Sequence, residues 1–220
     1  MLAVHHLNNS RSQRVLWALE ELGVPYELVK YERDPKTMLA PPELQKIHPL
    51  GKSPVITDDG VTLAESGAIL EYLVEKYGDG RLIPARATPE LLRYRYYLHY
   101  AEGSLMPLLL LRLVFSRVRT GAPFVVRPIA KAIARKVEKQ FIAPNLARHV
   151  AFLDGELAKS PWFAGAELTA ADIQMSFAME AIAARYPNAP ARVTDWVDRA
   201  HGRPAYQRAL ERGGPYSVES

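Results

Sequence analysis

Three short stretches in the first third of the chain carry residue types that can hold an anion or an extended peptide. The first is Asn8-Asn9-Ser10-Arg11-Ser12, where a strand-like run gives way to a helical pattern. A helix N-terminus presents unpaired N–H groups and a positive partial charge, so it stabilises an anion set against it. If that anion is a thiolate, a donated hydroxyl proton and positive surroundings both lower the pKa of the parent thiol from about 8.5. Ser10 fits that role, with Asn9 beside it. Ser10 fits equally well as a simple N-cap, which this residue type favours.

The second stretch is Gly51-Lys52-Ser53-Pro54-Val55. A proline is tolerated at the first position of a strand. With a cis Ser53–Pro54 bond, the Ser53 N–H and C=O face outward and can pair with an extended peptide as an added strand. A trans bond makes an ordinary turn there. Lys52 lies where it can meet a carboxylate of such a peptide. The third stretch, Glu65-Ser66-Gly67-Ala68-Ile69, opens another helix. Ser66 and the exposed N–H groups can hold a second carboxylate and Glu65 an ammonium group, or the pair merely caps the helix.

These stretches need elements to hold them. Leu2 to His6 reads as a first strand, and Val15, Leu16, Leu19 and Leu22 recur at helical spacing. Gly23 and Pro25 stop that helix, and Tyr26 to Tyr31 alternates as a second strand. A proline-rich connection follows, with one short helix from Glu43 to Ile47. Val55-Ile56-Thr57 and Val61-Thr62-Leu63 flank Asp58-Asp59-Gly60 as a hairpin. Ser66 to Tyr77 is a helix burying Ile69, Leu70, Leu73 and Tyr77. The order is βαβ, α, ββα, over residues 1–80. Residues 81–88 read as a linker, and 89–220 as an all-helical half without a convincing strand. Long helices are predicted from Pro89 to about Arg117, Ile129 to Phe141 and Asn145 to Leu157, with Pro144 breaking or kinking the last two. Thr169 to Ala184, Val193 to Ala200 and Pro204 to Leu210 complete the half.

Composition narrows the chemistry. The chain of 220 residues has no cysteine, so disulfides, thiolate metal sites and cysteine nucleophiles are excluded, and any sulfur chemistry arrives with a ligand. A net charge of +4 suits an anionic small molecule, nucleic acid or a membrane surface without choosing among them. The most apolar stretch, Leu105 to Phe115, is interrupted by Pro107 and Arg112 and falls short of the ~20 residues that span a bilayer. The N-terminus lacks a signal-peptide pattern, so a cytoplasmic protein without membrane insertion is expected. The histidines, at 5, 6, 48, 99, 149 and 201, show no metal-ligand spacing, and no metal is expected.

Two helix N-termini and one strand edge in this order suit a short extended peptide with a central thiol and charged ends, as in glutathione. Ser10-Arg11-Ser12-Gln13-Arg14-Val15-Leu16-Trp17-Ala18-Leu19-Glu20-Glu21-Leu22-Gly23 resembles the opening of the soluble glutathione transferases. His48-Pro49-Leu50-Gly51-Lys52-Ser53-Pro54-Val55 is similar to their Asn-Pro-x-Gly-Lys-Val-Pro segment, and Glu65-Ser66-Gly67-Ala68-Ile69 to their Glu-Ser-x-Ala-Ile segment. The resemblance is to serine-type bacterial and fungal members related to the theta and zeta classes, and it covers nearly the whole chain. It implies a thioredoxin-like domain followed by a helical substrate domain, acting as a homodimeric detoxifying transferase that joins the glutathione thiolate to hydrophobic electrophiles. It also implies that Ser10 activates the thiol, with Asn9 or Asn8 sharing or replacing it. Lys52 then meets the glycine carboxylate, Ser53 the cysteinyl backbone before a cis Pro54, and Glu65 and Ser66 the γ-glutamyl end. The electrophile lies against the helix of Tyr94 to Met106, with Met106 and Leu110 as its contacts. Ser53 stands where the family usually has Val, and His48 where it has Asn.

Two features have blander readings. Thr169-Ala170-Ala171-Asp172 is a capping box with Leu168 and Ile173 as its staple, so Asp172 is read as structural. Arg127, Lys131, Arg135 and Lys139 share a helix face, which is a solvated face or a rim that attracts anions. Peroxidase or isomerase chemistry on the same scaffold, and a non-catalytic ligand-binding or docking module, are the rival readings. A nucleic-acid binder ranks last, and no nucleic acid is expected.

Overall fold

The computed structural model describes residues 1–214 and 216. Its sheet has four strands in the order β2-β1-β3-β4: β1 (Ala3–Leu7), β2 (Glu27–Tyr31), β3 (Val55–Asp58) and β4 (Val61–Ala64). β1 pairs parallel with β2, Ala3 opposite Glu27, and antiparallel with β3, Val4 opposite Ile56. Every residue of β1 is buried, as a central strand covered on both faces requires. Its two histidines are therefore interior groups. His5 hydrogen-bonds the Tyr31 hydroxyl (3.1 Å) and Thr57 Oγ1 (3.3 Å), and His6 Nδ1 hydrogen-bonds Ser12 Oγ (2.8 Å).

α1 (Ser12–Leu22) makes the crossover between β1 and β2. It ends at Gly23, whose φ of 64° is left-handed and whose N–H returns to the Leu19 carbonyl. α2 (Glu43–Ile47) lies in the proline-rich connection, and α3 (Ser66–Tyr77) follows the hairpin.

The second half is built on two long rods. α4 (Pro89–Tyr100) runs through a π turn (Ala101–Leu105) into α5 (Met106–Gly121), and α6 (Arg127–Val137) runs through a π turn (Glu138–Ile142) into α7 (Ala143–Leu157). Of the break or kink expected at Pro144, the break does not occur. Ala143 N–H reaches back to the Glu138 carbonyl, and the wide turn absorbs the missing donor and the bulk of the ring. The same device precedes Pro107, where Met106 N–H reaches Ala101. It also changes one expectation about length: Pro89–Gly121 is a single helix of 33 residues, long and apolar enough by those measures alone to cross a membrane. Here it forms the central wall of the helical half, buried on one side by Tyr94, Tyr97, Leu98 and Leu105.

α8 (Ala170–Arg185) is buried along most of its length, and α9 (Ala191–His201) and α10 (Pro204–Gly213) bring the chain back onto α1. Arg203 there pairs with Glu21, and Arg208 and Arg212 pair with Glu20. Asp172 accepts hydrogen bonds from the N–H groups of Thr169 (2.9 Å) and Phe163 (2.7 Å), so the box also anchors the preceding loop. A continuous core runs from Val4 and Trp17 through Ile69 and Tyr97 to Met175 and Trp196, joining both halves.

Candidate functional site

The two serine-bearing helix N-termini differ in how their polar groups are used. Ser10 is only 4% exposed, and its hydroxyl is engaged within the turn. Ser10 Oγ accepts the Ser12 N–H (3.2 Å) and shares a hydrogen bond with Ser12 Oγ (2.7 Å). Gln13 and Arg14 N–H groups meet the carbonyls of Ser10 and Arg11, so the first turn of α1 is largely satisfied from within. Beneath it, burial pushes the His6 imidazole down to about 4, with Lys30 adding repulsion, which keeps the ring neutral at ordinary pH.

The start of α3 is open by contrast. Glu65 is exposed, takes a left-handed φ of 71° and offers no side-chain cap to the helix. Ser66 is buried and accepts a long hydrogen bond (3.4 Å) from Arg14 Nη1. The same Nη1 reaches Glu102 Oε1 (3.0 Å) and Gln174 Oε1 (2.9 Å). Arg14 thus ties α1 and α3 of the first half to the π turn and α8 of the second. Its Nε and Nη2, and the amide of Gln13, are buried without a hydrogen-bond partner among the described residues.

Between these termini lies the start of β3. The Ser53–Pro54 bond is cis. The ladder to β1 begins only at Val55, so the Ser53 backbone lies outside it. The Ser53 hydroxyl donates to the His5 carbonyl (2.9 Å) and accepts the Leu7 N–H (3.2 Å), fixing this segment against β1. Lys52 is exposed and forms no ion pair among the described residues.

A cavity of about 220 Å³ opens where the halves meet. One wall is apolar, with Met38, Met106, Leu109, Leu110, Leu113, Phe177 and Ala181; the rest is Asn9, Arg11, Arg33, Arg117 and Arg185. Asn9, Met106 and Leu110, all singled out in the sequence, therefore meet in one space, whereas Ser10 does not line it. Asn9 sits at φ 46°, a left-handed conformation that asparagine tolerates and that sends the chain sharply from β1 toward α1. Arg11 pairs with Glu102 (2.9 Å) and lies over the Phe177 ring at 5.1 Å. Arg33 is clamped: its Nε donates to the Asn8 carbonyl (3.2 Å), its N–H to Asn8 Oδ1 (3.0 Å) and Nη1 to the Met38 carbonyl (3.0 Å). Burial and the neighbouring Arg11 guanidinium lower the Arg33 pKa. An anion placed here relieves that repulsion.

The arginines were the part missed in the sequence. Arg11 and Arg14 stood inside a recognised segment, but Arg33, Phe177 and Arg185 come from a loop and a helix far along the chain, with no local pattern marking them. The stripe of α6 stays outside this cavity. Arg135 and Lys139, with Arg112 and Arg119 of α5, border a separate groove of about 530 Å³.

Comparison with known proteins gives a consistent result. Residues 2–75 match the family model described as glutathione S-transferase, N-terminal domain, and residues 118–204 the one described as glutathione S-transferase, C-terminal domain. The chain is 37% identical over 214 residues to glutathione S-transferase 3 of Schizosaccharomyces pombe, covering 96% of this chain and 88% of that protein. It is 32% identical to glutathione S-transferase 1 of Saccharomyces cerevisiae, covering 96% and 95%. The crystal structure of a glutathione S-transferase from Actinobacillus pleuropneumoniae superposes with a TM-score of 0.77 at 29% identity, over 97% of this chain and 93% of that one.

Proposed function

The chain belongs to the glutathione S-transferase family, and from that premise we propose how it carries out the transfer of the glutathione thiolate to hydrophobic electrophiles. The tripeptide lies extended across the three openings. Its γ-glutamyl carboxylate meets Ser66 and the uncapped N-terminus of α3, its ammonium meets Glu65, its cysteinyl backbone pairs with Ser53 beside Pro54, and its glycine carboxylate meets Lys52. The sulfur then points into the cavity at Asn9.

The observation that carries this reading is the clustering of Asn9, Arg11 and Arg33 against an apolar wall. Positive charge and a donated amide N–H favour the thiolate over the thiol, and the wall holds the electrophile within reach of it. Ser10 acts through the turn: by accepting the Ser12 N–H it fixes where Asn9 stands. The working form is a cytoplasmic homodimer with a detoxifying role. The exposed Leu92 and Tyr96 of α4 supply apolar surface for the subunit contact.

The test is conjugation of glutathione to a chlorodinitrobenzene, followed by the absorbance of the thioether. Turnover at neutral pH is expected, with Asn9→Ala lowering kcat/KM about tenfold, the equivalent of one pKa unit. No turnover at millimolar glutathione would remove this assignment.

A further inference from the structure

The hairpin of α5 and α6 is apolar without contributing to the core. From Pro107 to Ile133 no residue is buried. Leu110, Val114 and Val118 recur every fourth residue and share one exposed face of α5, as Ile129 and Ile133 do on α6. Phe124 and Val125, in the turn between the helices, are 84% and 85% exposed. The extensive contacts of α6 are with α5 and the π turn that continues it. Charge on the hairpin is equally one-sided. Between Glu102 and Glu138 the sequence has seven Arg and Lys residues and neither Asp nor Glu. Glu138 itself is engaged by Arg112 (3.3 Å). Arg119, Arg135 and Lys139 border the groove of about 530 Å³ between the two helices, and Arg127 and Lys131 continue the basic stripe of α6.

We propose that this hairpin docks the protein on membrane surfaces rich in anionic lipid, with Phe124 and Val125 in the headgroup layer and the Arg and Lys side chains on the phosphates. The charge selects lipid over other cover. A second copy using the same face sets like charges against one another. The subunit contact at Leu92 and Tyr96 lies elsewhere, because at about 1.5 Å per residue Val118 is roughly 33 Å along the rod from Tyr96. A nucleic acid meets the cations but leaves the aliphatic side chains in water. A fluid interface takes an exposed apolar turn without a matching groove, and anionic headgroups attract the basic residues around it. The contact is peripheral: α4 holds Tyr94, Tyr97 and Leu98 in the core, and spanning would dismantle that core. Leu110, Leu113 and Arg117 of α5 also line the cavity, so docking sets its mouth beside lipid, where hydrophobic electrophiles accumulate. The inference stands independently of the transferase reading.

The experiment mixes the full chain with vesicles of phosphatidylcholine alone or of phosphatidylcholine and phosphatidylserine in equal amounts, and measures bound protein by flotation. Binding to the mixed vesicles should exceed binding to the neutral ones about tenfold or more at low ionic strength, and fall with added salt. The double variant Phe124→Ser and Val125→Ser, confined to the exposed turn, should weaken it about tenfold. The double variant Lys131→Gln and Arg135→Gln should weaken it about twentyfold, with helical content by circular dichroism unchanged in both. Equal binding to the two vesicle types, or none to the mixed ones, overturns the proposal and leaves the transferase reading standing. Binding that both double variants preserve overturns the assignment to the hairpin. Two further results would also overturn it. A lower sedimentation coefficient for the lipid-free Phe124→Ser and Val125→Ser variant would show that a second copy covers the hairpin. Polyglutamate bound as tightly as the mixed vesicles, and equally by that variant, would show that charge alone recruits an acidic chain.

Discussion

Ser10 and Ser66 stand at the N-termini of two helices in the same small domain, both buried to the same degree, yet they are offered to different partners. The Ser10 hydroxyl is committed to Ser12, and through Ser12 to His6, so its helix start is closed. Among the described residues, the Ser66 hydroxyl receives only a long bond from Arg14, and no side chain caps its helix. A serine at a helix start is therefore a poor guide to ligand binding until the neighbours are known. The closed terminus supports the turn that presents Asn9; the open one is left to receive a charge.

The comparison can be broken most severely at Arg14, which joins the open terminus to the helical half. Arg14→Leu strips Ser66 and Gln174 of their donor and leaves Glu102 to Arg11 alone. Leaving the buried oxygens of Ser66 and Gln174 without their donor destabilises by roughly 1–3 kcal/mol each. A matching drop in the urea midpoint is expected, with weakened glutathione binding in calorimetry. A variant as stable as the wild type would show that the two halves are not joined there.

Acid should attack the closed terminus first. His6 titrates at about 4 in the folded chain against 6.5 for the unreacted group. A base with a depressed folded pKa contributes stability fully above 6.5, and that contribution is lost as pH falls through the window toward 4. The loss is roughly 3 kcal/mol, and it should be read as a falling urea midpoint between those limits. His6→Gln should flatten that part of the profile. A wild-type profile already flat there would mean that the ring charges freely in the folded state.

Two smaller effects sharpen the contrast. Ser66→Ala removes a hydrogen bond to a charged group and should weaken glutathione binding by roughly 2 kcal/mol, measured as Kd. Ser10→Ala removes the acceptor of the Ser12 N–H and should lower stability by about 1 kcal/mol while leaving Kd close to the wild-type value. The opposite pattern would exchange the roles of the two termini.

Much of this was legible in the sequence, and the reason is local. The hairpin at Asp58-Asp59-Gly60, the helix of Ser66–Tyr77 and the box at Thr169 and Asp172 are set by neighbours a few residues away. At Pro144, read as a break or a kink, the outcome depends on a π turn upstream, which no propensity announces. The cavity was legible only in part. Asn9, Met106 and Leu110 could be proposed from junctions and likeness, but the arginine lining arises when β2's loop, α5 and α8 converge, and that convergence is a property of the fold.

The central claim is that glutathione is bound as its thiolate beside Asn9 and the adjacent guanidinium groups. A pH titration of the thiolate absorbance of bound glutathione tests it directly. The account predicts that Asn9→Ala raises the apparent thiol pKa by about one unit, whereas Ser10→Ala leaves it nearly unchanged. A large upward shift in Ser10→Ala with none in Asn9→Ala would contradict it and return the sulfur to the serine.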